Sequence, residues 1–519
     1  MLLGGFEIPL WLALGAPAVT LLYLYSTRTF NKFKKSGVPG PKPYPVIGSG
    51  MALYGDNLMN IDTKFRQTYG KFVGIFEGTT PVLLVYDGLW LKEAFIKNFN
   101  KFSSRREFVF GGAINEGLFT IGGEHWKFVR KMLSPEFASG KLKRLMPAIQ
   151  ECDDTFVQLL REQNGQPVDI RRKTNLLTLD VISKTAFGFD AKTQTKEDNE
   201  FTKNAFVLID RTEANSTLYE RIHLGLAIAL ALFAPLWMAR LGSRLFNLGI
   251  LEKNANIYFE QLCSSVIEAR QTGEVVGADF LQNLANNVVD VSKNKTPMLT
   301  DEQGKPWTRD GLTKQEVIGN AILFLFAGFQ TTADTMFFIF YELAMHQDIQ
   351  ERLYEEIMSV CETEEVTPEQ LNELKYLDRC IQETMRLYPQ GFRFDRIASE
   401  DVTIRDIFIE KGTAVTASAW VIQRDPEVWE NPEEFEPDRF LPEKMTEEMS
   451  ASFMPFGMGN RQCIGNRLAL TEMKMTVIAT LKAFRIDKNE ETPERPLKFK
   501  PVLAIAPMET IKVTFKERS

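Results

Sequence analysis

Phe456-Gly457-Met458-Gly459-Asn460-Arg461-Gln462-Cys463-Ile464-Gly465 sets one cysteine in a glycine-rich loop, directly ahead of a helical-looking run. The glycines let the backbone turn tightly and approach a flat cofactor closely, which side chains would obstruct. A helix beginning just after Cys463 aims backbone N–H groups and its positive dipole end at the sulfur, favouring the anion. A thiolate held in this way suits a metal centre, and haem iron suits it best. A proximal thiolate donates electron density that favours O–O cleavage, so the ligand alone points to oxygen activation. A random cysteine in a turn would more often be a buried structural residue; the glycines, Arg461 and the following helix argue against that here.

Composition narrows the alternatives. The 519 residues carry 61 basic and 68 acidic side chains for a net charge of −7, with no basic stripe, so nucleic acid is not an expected partner. Five cysteines (Cys152, Cys263, Cys361, Cys380, Cys463) are scattered and lack metal-finger spacing, as in a reducing compartment with one functional thiol. The three histidines, His125, His223 and His346, lie far apart, which disfavours a histidine-built metal site.

Outward from the loop, the opposite end of the chain reads as an anchor. Ile8 to Tyr25 is almost wholly apolar, and together with Met1–Phe6 could cross about 30 Å of hydrocarbon as a helix, although Glu7, Pro9 and Pro17 weaken the match. Arg28, Lys32, Lys34 and Lys35 follow at once, a charge bias that places what comes next in the cytosol. The expected organisation is an anchor over 1–27, a basic and proline-rich linker over 28–49 and a catalytic domain over 50–519. Val82–Tyr86 and Val402–Ile409 read as strands. Helical periodicity marks Leu142–Leu160, Leu176–Phe187, Leu251–Glu268, Thr313–His346, Ile349–Glu362 and Leu371–Leu387. The class is mainly α with a smaller β portion (α+β). Leu224–Met238, apolar on all sides but short for a span, suggests a segment dipping into the membrane beside a substrate entrance.

Three further patterns bear on chemistry. Asn320–Thr335 is a hydrophobic helix interrupted by Ala327-Gly328-Phe329-Gln330-Thr331, where lost bulk and added hydrogen-bonding groups would open a groove over a cofactor. Glu383 and Arg386 lie three apart on one face of an apolar helix, with Arg439 a suitable third member of a buried network. Trp126 and Arg130, four apart, offer an indole N–H and a guanidinium to carboxylate tails, and Arg396 and Arg461 are candidates by type.

In combination these residues resemble the cytochrome P450 superfamily across nearly the whole chain. The marks are Phe456, Gly459, Arg461, Cys463 and Gly465 in the loop; Glu383 with Arg386; Trp126 with Arg130; and Ala327, Gly328 and Thr331 on the interrupted helix. Ser103–Phe108, Leu133–Lys143 and Arg393–Arg396 look like microsomal drug- and steroid-oxidising members and their invertebrate relatives. The resemblance implies a triangular, mostly helical prism enclosing heme b (iron protoporphyrin IX), with Cys463 as axial ligand and Trp126, Arg130, Arg396 and Arg461 on its propionates. It further implies an endoplasmic reticulum membrane location with the catalytic domain on the cytosolic side. Electrons would come from NADPH through a haemoprotein reductase, sometimes with cytochrome b5.

The expected activity is insertion of one oxygen atom into an apolar xenobiotic, steroid or lipid. Pocket candidates are Phe108, Phe110, Ile114, Leu118, Phe119, Phe324, Ala327, Phe329, Phe392 and Phe394, any of which could equally be core. One position departs from the family pattern: Gln330 stands before Thr331 where an acid is usual, and it does not titrate near neutral pH. Thr331 and Gln330 are therefore candidate catalytic residues, with Asp334 a source of a longer water route. The departure keeps one rival open, an endoperoxide isomerase of the same fold; a second rival is a haem-containing binding or sensor protein with the Trp126 and Arg130 site intact but little turnover. Lys127, Lys131, Lys141, Lys143 and Arg144 suggest a positive patch that meets the reductase.

Overall fold

The computed structural model describes residues 2–3, 6–7, 10–53, 56–106, 110–209, 226, 238, 241–242, 251–272, 280–289, 297–300, 306–308, 311–363, 365–500 and 505–518. Phe108 and most of the Leu224–Met238 stretch lie outside the described residues.

Elements used below are α1 (Leu10–Thr27), β1 (Phe72–Glu77), β2 (Thr80–Val85), α2 (Gly123–Leu133), α3 (Ser139–Arg161), β3 (Pro167–Asp169), α4 (Ile170–Ile182) and α5 (Lys253–Gln271). They continue with α6 (Lys314–Met345), α7 (Gln347–Val360), α8 (Lys375–Leu387), β4 (Arg393–Ile397), β5 (Ala414–Ser418), α9 (Asn466–Ala483), β6 (Phe484–Asp487) and β7 (Lys512–Glu517). A four-stranded sheet runs β1-β2-β5-β4, parallel only between β2 and β5. A three-stranded antiparallel sheet runs β6-β7-β3. Helices supply most of the rest, with further two-stranded pairs between them.

Boundaries moved where local chemistry intervened. Val402–Ile409 is a hairpin of two three-residue strands, Val402–Ile404 and Ile407–Ile409, because the chain reverses at Arg405, which takes positive φ. The stretch Leu371–Leu387 is broken at Leu374 into Pro368–Glu373 and α8.

Helix α6 organises the interior. Thr313 caps it in a reciprocal box with Glu316, and its 32 residues span about 48 Å at 1.5 Å per residue. It is long and apolar enough to cross a membrane, but 72% of its most apolar window is buried in the protein, so it is the core helix. Its first half, Val317 to Phe329, packs with α2 and α5; its second half, Met336 to Ala344, packs with α3, α8 and α9. Between these two cores lies the interrupted segment around Thr331. A third core fills the space behind the four-stranded sheet.

Helix α1 covers Leu10–Thr27, and Leu2–Leu3 pairs with Phe6–Glu7 as antiparallel strands, so these residues do not extend the helix as the hydropathy suggested. Eighteen residues reach about 27 Å, and Val19 and Leu21–Tyr25 are exposed along them. The start of the basic, proline-rich stretch packs on the body. Phe30 and Phe33 pack tilted against Phe76, at 5.1 and 5.3 Å between ring centroids. Thr29 donates to the Thr79 carbonyl at 2.7 Å, and Lys32 and Lys35 both pair with Glu410.

Candidate active site

The cysteine loop is built by two glycines in left-handed backbone conformations, Gly457 (φ 74°) and Gly459 (φ 69°). At 459 no other residue fits: an added Cβ would lie 2.6 Å from the Phe95 carbonyl oxygen. The Cys463 amide donates to the Phe456 carbonyl at 2.9 Å, closing the loop, and α9 starts at Asn466 with Gly465 as its cap. Four of the five cysteines are buried, whereas Cys463 is the one with exposed surface. Protein nevertheless crowds it, so burial pushes its thiol up, opposed by the Gly465 N–H and by the charges of Arg130 and Arg105. The amide and the two guanidiniums are the groups that would favour this accessible sulfur as an anion once it is bound to a metal.

Around this loop gather four arginines. Arg461 is buried and donates to the carbonyls of Ser103 (2.8 Å), Ile121 (3.0 Å) and Leu118 (3.5 Å), while its guanidinium lies 4.0 Å from the Trp126 ring centre. Arg130 donates to the Gln462 carbonyl at 2.9 Å, and Arg105 to the Arg461 carbonyl at 3.2 Å. Arg396 is buried with its own Asp395 carbonyl as acceptor. Asp395, a described carboxylate beside the group, is engaged by Arg106, which also pairs with Glu77. Burial and the mutual repulsion of Arg105, Arg396 and Arg130 push Arg461 down to about 8, and burial together with Arg105 pushes Arg396 well down. A guanidinium keeps its proton in a protein. Burial and like charge therefore make a negatively charged guest favourable beside these guanidiniums. Arg105 points the same way, with a buried Nε that has no acceptor among the described residues. A group with two carboxylate tails fits these donors, and Trp126 is buried among them, so the residues suit the haem that the resemblance implies.

Facing this is the interrupted part of α6. Apart from Gln315 near its start, only Ala327 and Thr331 are exposed on this otherwise enclosed helix, one turn apart. Thr331 returns its hydroxyl to the Ala327 carbonyl at 2.7 Å. Gly328 packs on α4, where a Cβ would come 3.0 Å from Ile182, so here the glycine serves helix packing. Gln330 is half-buried. Asp334 is a correction: it is buried with its carboxylate held by Arg171, at 2.7 and 3.2 Å, an ion pair that joins α6 to α4. A carboxylate committed to a bidentate guanidinium is poorly suited to the water route expected of it.

The aromatic candidates divide. Phe110 and Phe119 meet edge-on at 5.9 Å, and Phe119, 40% exposed, has Arg105 over its ring at 4.4 Å. Ile114 and Leu118 are buried on the same loop, which is pinned to α6: Leu118 N–H donates to Asn320 at 2.9 Å. Phe324 packs with Phe280 and Phe137, and Phe137 also touches the Gly465 position, linking α6 to the cysteine loop. Two expectations fail. Phe392 is buried in the core around α8, and Phe329 is buried against α4, α5 and Phe206, so neither lines an opening. Phe394 packs on Phe95, with Arg396 at 5.8 Å from its ring centre.

The expected ion network is complete. Glu383 takes Arg386 at 2.6 and 2.9 Å, Arg439 at 2.9 Å and the Glu436 amide at 2.9 Å. Arg386 also donates to the carbonyls of Gln423, Pro432 and Glu434. Gln423 in turn accepts from the Met454 amide at 2.8 Å, and the Met454 carbonyl accepts from Gly457 at 3.0 Å. The network thus reaches the cysteine loop. On the outer side, a depression of about 730 Å³ is lined by Trp126, Lys127, Arg130, Lys131, Asn460 and Gln462, among others. Of the basic candidates, Lys127 pairs with Glu124 and Lys141 with Glu136, while Lys131, Lys143 and Arg144 are exposed.

Comparison with known proteins agrees with this geometry. Residues 38–515 match the family model described as cytochrome P450. The chain is similar to cytochrome P450 3A29 of Sus scrofa, 33% identical over 502 residues that cover 96% of this chain and 94% of that protein. It is 31% identical to cytochrome P450 3A41 of Mus musculus over 528 residues, 98% of this chain and 99% of the relative. It is 32% identical to lithocholate 6-beta-hydroxylase of Mesocricetus auratus over 511 residues, 98% and 96% of the two chains.

Proposed function

Because this chain belongs to the cytochrome P450 family and is a haem monooxygenase, we propose that it oxidises apolar xenobiotics, steroids or lipids at the endoplasmic reticulum membrane, with its catalytic body in the cytosol. Heme b, held by Cys463 and by Arg105, Trp126, Arg130, Arg396 and Arg461, would supply the oxygen-activating chemistry. Electrons come from NADPH through a membrane reductase, with cytochrome b5 as an accessory donor. The observation that supports this reading best is the pairing of an accessible, amide-supported Cys463 with four arginines that, among the described residues, form no ion pair with a carboxylate.

The protein's own residues do the positioning. Phe119, Phe110 and Ala327 offer apolar surface, and each Å² of apolar surface withdrawn from water contributes about 25 cal/mol to binding, which favours bulk over polar detail in a substrate. Thr331 carries the hydroxyl that can accept and pass a proton at the exposed turn of α6. Gln330 orders water there through its amide without releasing a proton itself. Lys131, beside the outer depression, steers an acidic partner toward the cysteine side.

Reconstitution with reductase and NADPH, against a panel of steroids, lipids and drug-like amines, tests the proposal. Oxygenated product formed in step with NADPH use is expected. Rearrangement of a fatty-acid endoperoxide without reductase, coupled to no NADPH-dependent product, would transfer the assignment to the isomerase reading that Gln330 motivates.

A further inference from the structure

Away from the cysteine loop, the interface between α3 and α9 encloses two carboxyl groups that the activity does not use. Asp153 on α3 has no exposed surface and Glu472 on α9 only 4%. Thr476, one turn beyond Glu472 on the same face of α9, donates to one Asp153 oxygen at 2.7 Å, which sets Asp153 against that face. The other Asp153 oxygen and one Glu472 oxygen are buried with no hydrogen-bond partner. Lys184 is the cation on this side, but Glu151 holds it at 2.7 Å and Asp190 stands at 3.8 Å. Among the described residues, the other ionisable neighbours add no positive charge. Cys152 is a buried thiol, Asp154 is acidic, and Asp180 accepts the amides of Thr193 and Gln194. Lys474 of α9 is engaged with Asp378.

Two carboxylates buried together without a cation would be far more costly than a neutral pair, since burial and like charge both oppose ionisation. We propose that Asp153 and Glu472 are kept neutral as a proton-holding joint that packs α9, the helix leading from Cys463, onto α3, and that loosens when the pair ionises. Burial pushes both carboxyls well above the usual carboxylate range, with Asp153 adding to the rise at Glu472. The sign follows from linkage. Near the ordinary carboxylate range the unfolded chain begins to lose these protons while the folded protein keeps them. Stability therefore falls as pH rises through the interval between the two states' values.

The test uses the haem-loaded full chain with Glu472→Gln and, separately, Asp153→Asn, each a neutral mimic of the protonated acid. At neutral pH the parent should show the infrared carbonyl band of a buried protonated carboxyl, diminished in either variant. The thermal midpoint, followed by the haem absorbance that reports thiolate ligation, should be higher in the variants than in the parent at pH about 8, and should converge with it near the ordinary carboxylate range. Absence of the band from the parent, or a variant midpoint lowered equally at every pH, would overturn the proposal. If one variant does not fold, the parent's band and the other variant still decide it.

Discussion

Two of the charge clusters among the described residues, those around Glu383 and around Cys463, are opposites. Around Glu383 the described donors and acceptors answer one another: one carboxylate meets two guanidiniums and an amide, and the spare guanidinium hydrogens meet backbone carbonyls. Around Cys463 four guanidiniums converge, and among the described residues the carboxylate beside them, Asp395, is already paired with Arg106. The first cluster is finished by the chain itself, the second by something brought to it. A buried charge that is satisfied reports architecture, while one with a deficit of known sign reports the charge of a guest.

The comparison can be broken most decisively at its centre. Cys463→Ser should abolish the thiolate-type absorption of the reduced carbonyl complex, whereas Cys152→Ala or Cys361→Ala should preserve it; visible spectroscopy of the purified variants decides. Next in size, Glu383→Gln strands Arg386 and Arg439 and should destabilise the fold by roughly 3–5 kcal/mol, read as loss of soluble haem-loaded protein or in denaturant titration. Arg461→Met should act oppositely on the two states of the protein. It should weaken haem retention by about 1.5–3 kcal/mol, some ten- to a hundredfold, while raising the melting temperature of haem-free protein by removing a crowded cation. A variant that weakened both equally would erase the distinction between the clusters.

Two smaller effects sharpen the picture at the edges. Gln330→Glu should raise the ratio of product to NADPH consumed by a few-fold, by restoring an acid beside Thr331. Lys131→Glu should slow reductase-dependent haem reduction at low salt, leave dithionite reduction unchanged, and lose its effect as salt screens over about 8–10 Å.

Much of this was legible before any coordinates. The cysteine loop and the Glu383–Arg386 pair are local patterns, and a local pattern survives in one dimension. What was missed depends on distant partners. Arg105 lies in a run without helical or strand periodicity, and its contact at Arg461 is 356 residues away. Asp334 sits one turn from Gln330, which made it look like a proton source, but Arg171 is 163 residues earlier and nothing in the intervening sequence announces the meeting. Phe329 and Phe392 show a different limit: an aromatic ring is equally at home lining a pocket or filling a core, and composition does not separate the two.

The joint between the anchor helix and the sheet sets where the chain can be cut. Phe33 covers Gly74 of β1 so closely that even a methyl group there would collide with its ring, and Glu410 is engaged by both Lys32 and Lys35. A truncation ending before Thr29 removes the greasy helix and keeps this seal. One ending in the proline-rich stretch at Pro39 strips the sheet of its cover, leaving Phe76 and its neighbours as a sticky edge and trading a membrane tail for an aggregation surface.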